Sequence, residues 1–185
     1  MEWDTLTLEK DAERHFAVIT LNRPANFNAI STQLARDLLA ALSYIEEEDD
    51  IWAAIITGTG EKAFCSGADL KERKNMTKPQ MIAQRKLFVK MFTAVSVFPK
   101  PLIAAVNGVA FGGGLEIALA CDWIVAAENA IVSLSETSIG VIPAGGGTQK
   151  MSRVIGKQKA KQLILTARRL TAAEAKEWGF VARVA

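Results

Sequence analysis

Two glutamates stand where their surroundings do not account for them. Glu116 lies in the run Leu115-Glu116-Ile117-Ala118-Leu119-Ala120, which carries no other charge and is too apolar for a surface helix. A carboxylate in or beside a core is costly unless it is partnered or used. Glu136 follows Ile131-Val132-Ser133-Leu134-Ser135 and precedes Ile139-Gly140-Val141-Ile142. The ordinary readings are an exposed stripe or a cation's partner for Glu116, and a solvated loop residue for Glu136. Each also stands beside a glycine-rich bend, and two carboxylates so placed suit a general acid/base pair.

The glycines narrow the chemistry further. Gly112-Gly113-Gly114 fails the dinucleotide pattern, because Ile117 occupies its last position. The segment 140–147 fails the phosphate-binding loop, because Gly146 stands where a lysine is needed. What remains is a backbone able to approach a ligand closely and to open a helix whose first amides point at it, a device that can hold a carbonyl oxyanion. Nucleophilic catalysis has little support. Ser66 lacks the G-x-S-x-G frame, and Cys65 has only the distant His15 as a base.

To position such groups the chain must build a core, and its composition allows one. Half of its 185 residues are hydrophobic and 23% are charged, which fits a single globular domain over residues 1–185. A net charge of +2 does not by itself imply nucleic acid. Two cysteines and one histidine cannot form an ordinary metal cluster or a disulfide framework, so no metal is expected and a reducing compartment is. The N-terminus has no apolar signal core, and no apolar run approaches the ~18–20 residues that cross a bilayer. The expectation is a soluble, cytoplasmic protein.

Residues 5–9 alternate in strand fashion, and Phe16–Leu21 reads as a second strand. Ser31 is a plausible N-cap for a helix with Leu34, Leu38, Leu42 and Ile45 on one face. Residues 52–57 form a short, continuous apolar run, as in a buried strand. A helix over 79–98 follows, predicted to face Met81, Phe88, Phe92 and Val95 to the core. Three irregular units of strand, tight turn, short strand, glycine bend and helix then repeat, beginning at Ala54, Leu102 and Trp123; stacked, they make a quasi-solenoidal core. Thr171-Ala172-Ala173-Glu174 is a capping box for a short helix closed by Gly179.

The strings Asn22-Arg23-Pro24, Asn28-Ala29-Ile30-Ser31, 63–70, 101–108, 112–118, Ser135-Glu136 and 140–149 together resemble the enoyl-CoA hydratase/isomerase (crotonase) family, in order and over almost the whole chain. The stretch 68–73 looks especially like the methylglutaconyl-CoA hydratase branch. The resemblance implies an α/β spiral of strand-strand-helix units and a lyase that adds water across the double bond of a 2-enoyl-CoA, within fatty-acid metabolism. It implies that Glu116 and Glu136 are the catalytic pair and that the N–H groups of Ala68 and Gly113 form the oxyanion hole. It further implies that Ala68, Asp69, Leu70 and Lys71, with Gly113, contact the substrate, Lys71 meeting a coenzyme-A phosphate. Coenzyme A would enter as part of the substrate, with no resident cofactor. Trimers or hexamers are the family's assemblies. Members that only shift a double bond generally lack the first glutamate, so having both favours hydration.

Three departures stand out. Ala144 replaces a usual glycine, Phe27 sits where many members have a smaller or basic residue, and the family continues beyond residue 185 into a C-terminal helical segment that covers the acyl pocket and supports trimer assembly. The expected unit is therefore the spiral core without that segment. Two alternatives remain: another crotonase-fold reaction such as isomerisation or decarboxylation, and RNA binding, which one methylglutaconyl-CoA hydratase relative associates with a lysine-rich first helix. Here the helix over 31–48 carries Arg36 as its only basic residue. The run Lys150, Arg153, Lys157, Lys159, Lys161, Arg168 and Arg169 reads as a solvated helix face, and neither nucleic acid nor membrane is expected as a partner.

Overall fold

The computed structural model describes residues 3–185. The chain starts with a hairpin, β1 (Leu6–Asp11) antiparallel to β2 (Phe16–Leu21), whose inward residues Leu6, Leu8, Ala17, Ile19 and Leu21 are buried. Ser31 then caps α1 (Thr32–Glu47) by accepting the Leu34 N–H at 3.1 Å. Leu34, Leu38, Leu42 and Ile45 are buried along one face of this helix, as their spacing predicts. Truncating Leu38 to Ala would cost about 2–5 kcal/mol, because the surrounding core closes the cavity only in part.

Three coils of a spiral follow. The first is β3 (Ala53–Gly58), β4 (Ala63–Cys65), α2 (Leu70–Lys74) and α3 (Lys78–Ser96). The second is β5 (Leu102–Val106), β6 (Val109–Phe111) and α4 (Gly113–Ala120). The third is β7 (Trp123–Ala126), β8 (Ile131–Ser133), α5 (Gly147–Ile155) and α6 (Lys157–Thr166). β9 (Leu170–Thr171), α7 (Ala172–Trp178) and β10 (Arg183–Val184) close the chain. The first strands of each coil align parallel in a six-stranded sheet of order β1-β2-β3-β5-β7-β10, and the second strands in a four-stranded sheet of order β4-β6-β8-β9. The repeat read from the sequence is thus the repeat of the fold. Asn107 fastens two coils: its Oδ1 accepts the Gly58 N–H at 3.1 Å and its Nδ2 donates to the carbonyls of Gly58 and Gly60.

Two local expectations are corrected. Residues 52–57 do not form a continuously buried strand: β3 alternates, and Trp52 lies outside it, 63% exposed and stacked on His15 with ring centroids 3.9 Å apart. Successive side chains of a strand point to opposite faces of the sheet, and in β3 only every second one is buried. Met81 does not face the core either; it is exposed on the first turn of α3, and Gln84 takes the buried place. Gln84 is tolerated there because its polar atoms are all used. Its Nε2 donates to Thr32 Oγ1 and Glu72 Oε2, and its Oε1 accepts from Arg73 Nε, at 2.9–3.0 Å.

The capping box at Thr171 and Glu174 and the left-handed Gly179 form as predicted. In the basic run, Lys159 and Arg168 lie over the Trp178 ring and Arg169 over Phe111. Among the described residues no helix is long and apolar enough to cross a membrane.

Candidate active site

The candidate site is assembled from the bends that follow the short strands of successive coils. In the first coil, Ala68 pairs in parallel with Ile30: the Ile30 N–H donates to Gly67 O at 2.8 Å and the Asp69 N–H to Ile30 O at 3.0 Å. In such a pairing the flanking residues make the bonds, so the N–H of Ala68 itself points to the opposite side. On that side lies the second coil's bend. Gly67 has a φ of +97°, and a Cβ there would meet Phe111 O at 2.9 Å and Gly113 N at 3.3 Å. Only glycine lets the two bends come together. Gly113 opens α4, so its N–H has no partner within the helix. The amides of Ala68 and Gly113 therefore belong to two backbones in contact.

The segment 68–71 is held from behind. Arg23 donates to Asp69 Oδ2 at 2.9 Å, while Asp69 Oδ1 accepts the N–H groups of Lys71 and Glu72 at 3.1 Å and so caps α2. Burial pushes the Asp69 carboxyl up, but these amides and the guanidinium outweigh it and hold the group below its ordinary range. Asp69 thus faces inward as a brace, whereas Leu70 and Lys71 are exposed. Asn28, with a φ of 54°, completes the brace: it accepts the Arg23 N–H at 2.9 Å and donates to Ala63 O at 2.8 Å. The sequence assigned no role to Arg23 or Asn28; a loop rich in residues suited to turns was the available signal.

Glu116 is on the first turns of α4 and is buried. Its Oε1 accepts the N–H of Gly145 at 2.7 Å and of Gly147 at 2.8 Å. Burial raises its pKa, and the amides of Gly147, Gly145 and Ala144 oppose that rise. Glu136 opens a short 3-10 helix, Glu136–Ile139, in the third coil. Its Oε2 is buried without a hydrogen-bond partner among the described residues. Burial, with the charge of Glu116 added, pushes Glu136 up to about 7. Both glutamates are tied to the second bend: Gly112, with a φ of +50°, leaves room where a Cβ would stand 3.3 Å from Glu136 Oε1, and Gly112 O accepts the backbone N–H of Glu116 at 3.0 Å.

The structure also brings in Phe92, which periodicity assigned only to the core, and Ile30, which was given no role of its own. A Cβ at Gly113 would touch Ile30 Cδ1 at 3.0 Å and Phe92 Cζ at 3.5 Å, so these two side chains wall the candidate oxyanion donor. The cysteines stand apart from the chemistry, since burial pushes both the Cys65 and Cys121 thiols up to about 12.

A profile of the enoyl-CoA hydratase/isomerase family matches residues 11–185. The chain belongs to this family. It is 49% identical over 170 residues to a putative enoyl-CoA hydratase/isomerase of Bacillus subtilis, covering 92% of this chain and 65% of the relative. It is 41% identical to the short-chain-enoyl-CoA hydratase of Clostridium acetobutylicum, covering 100% of this chain and 70% of that one. The crystal structure of an enoyl-CoA hydratase from Bacillus anthracis superposes with a TM-score of 0.90 at 43% identity, covering 100% of this chain and 68% of that chain. The chain thus spans about two thirds of the length of these relatives. The spiral is the crotonase architecture that the resemblance implied.

Proposed function

We propose that this chain is the catalytic core of an enoyl-CoA hydratase, a lyase that adds water across the double bond of a 2-enoyl thioester. The observation that carries the reading is the contrast between two neighbouring carboxyls. Glu116, held by backbone amides, is suited to be the ionised base, and Glu136, with an unpartnered buried oxygen and a pKa near 7, is suited to be the protonated acid.

In this mechanism the thioester carbonyl lies between the N–H groups of Ala68 and Gly113. Charge gathers on its oxygen as water adds, and each donor lowers the barrier by roughly 3 kcal/mol. Glu116 takes a proton from water as the oxygen attacks the β carbon. The electron pair of the double bond moves to the enolate, and Glu136 gives its proton to the α carbon. Net, one water is added, and the proton on Glu116 returns to Glu136 through solvent. Dehydration runs the same steps backwards. Leu70 and Lys71, exposed beside Ala68, are the contacts for the coenzyme-A part of the substrate, Lys71 for a phosphate. Coenzyme A arrives with the substrate, so the chemistry described uses side chains and backbone alone.

The test is the loss of enoyl-thioester absorbance on adding a 2-enoyl-CoA to the full natural chain. Glu116→Gln and Glu136→Gln should each slow hydration at least ~100-fold. A Glu116→Gln enzyme that hydrates at nearly the original rate would replace this reading with double-bond isomerisation. We further propose a homo-oligomer, a trimer or a dimer of trimers, working in the cytoplasm in fatty-acid metabolism. Support for assembly comes from Ile139, Val141 and Ile142, three exposed apolar residues on the loop that carries Glu136. Two free cysteines accord with a reducing compartment.

A further inference from the structure

We infer that Phe92 limits the length of the acyl group, making the site one for short-chain 2-enoyl thioesters. The inference rests on the hydratase reading and names its substrate class. Phe92 sits on α3 and is 9% exposed. Its ring ends between two backbones of the candidate site. The Cζ atom is 3.5 Å from where a Cβ on Gly113 would stand. The Cζ, Cε1 and Cε2 atoms are 2.6–2.7 Å from where a Cβ on Gly145 would stand. One ring edge therefore bears on the bend with the oxyanion donor and on the loop whose amide holds Glu116.

Beyond the ring is a groove of about 320 Å³ between α3 and the start of α5. Phe92 and Gly145 line it, but Gly113, Glu116 and Glu136 do not. The ring is thus part of the wall between the reacting centre and this groove. Val89 and Ala144 on the groove's other sides give it an apolar surface that suits methylenes. With the carbonyl at Gly113 and the double bond between the glutamates, the first carbons beyond the β position reach the ring edge. A longer chain enters the groove only by displacing a side chain packed against two backbones, and neither backbone has a side chain that could yield in its place.

The experiment compares chain-length profiles in the full natural chain. Hydration of crotonyl-CoA and 2-decenoyl-CoA is measured for the parent, Phe92→Ala and Phe92→Leu. The decenoyl/crotonyl ratio of kcat/KM should rise about tenfold or more in Phe92→Ala, with Phe92→Leu between. This ratio is independent of how much of each variant is folded, and Phe92→Leu decides the matter where Phe92→Ala does not fold. A ratio unchanged from the parent overturns the inference. Binding of butyryl-CoA and decanoyl-CoA by calorimetry separates this failure from failure of the hydratase reading. If the parent hydrates neither thioester, that reading fails, and the decanoyl/butyryl affinity ratio then decides: a rise on removing the ring upholds the gate, and no change overturns it.

Discussion

Glu116 and Glu136 have the same side chain, yet the fold treats them in opposite ways. Glu116 is on a regular helix that the core surrounds, and its burial is offset because the loop at Gly145 and Gly147 turns two amides onto one oxygen. Glu136 is at the start of one irregular turn, less buried, and one of its oxygens has no hydrogen-bond partner among the described residues. Burial alone would make the helix glutamate the weaker acid. The amides oppose that rise at Glu116, while Glu136, the less buried group, is pushed to about 7. Hydrogen bonding, more than depth, divides the roles of acid and base.

The largest test removes the charge chemistry while keeping the shape. With either glutamate changed to Gln, hydration falls at least ~100-fold, while binding of a saturated acyl-CoA measured by calorimetry changes little, because the proposed oxyanion donors are main chain. A next, smaller effect breaks only the support of Glu116. A Cβ on Gly147 would stand 3.0 Å from Glu116 Oε1 and 3.1 Å from Leu134 and Pro143 side chains. Gly147→Ala therefore displaces the carboxylate from its amides, and kcat should fall roughly tenfold, as expected for a misplaced catalytic group. A variant with unchanged kcat would mean that the amides do not hold the base in working position.

The positions of these residues in the sequence explain which were legible. The spiral could be read because each coil repeats strand, turn, strand and bend, and the core face of α1 because four apolar residues keep helical spacing. Glu116 was visible as a lone charge in an apolar helix. The contrast between the two glutamates was not, since it depends on amides 29 and 31 residues away along the chain. Phe92 was hidden for the opposite reason: a phenylalanine at a core position looks the same whether it faces other side chains or two glycine backbones. Gln84 shows the limit of apolar patterning, because a polar residue can hold a core position once distant partners satisfy it. Asp69 sat within a motif whose resemblance implied ligand contact, and nothing local indicated that its carboxylate would turn inward to Arg23.

The pH dependence sharpens the comparison with the next effect in size. If Glu136 must be protonated, kcat/KM of the free enzyme falls above a pH of about 7, approaching tenfold per unit. A profile flat from pH 6 to 9 would remove Glu136 from the acid role.

The smallest effect is on stability, and it follows from the same raised pKa. Glu136 titrates near its ordinary 4.5 in the unfolded chain and near 7 when folded. A raised carboxyl contributes its stability fully below about 4.5, and that contribution is lost as pH rises through about 7, because the folded state then bears a poorly solvated charge. Glu136→Gln stays neutral throughout. Parent and variant should therefore melt together at pH 4.5, while at pH 8 the variant should melt higher, by roughly 2–4 °C once solvent screening of a partly exposed group reduces the effect to about 1 kcal/mol. Glu116→Gln should behave differently. It exchanges a charged oxygen that accepts two amide N–H groups for a neutral amide oxygen, so both hydrogen bonds weaken and at pH 8 the gain from losing the charge is smaller. Scanning calorimetry of both variants at the two pH values measures the contrast directly. Equal shifts for the two would mean that the amides near Glu116 do not stabilise its charge, and the division into base and acid would lose its physical ground.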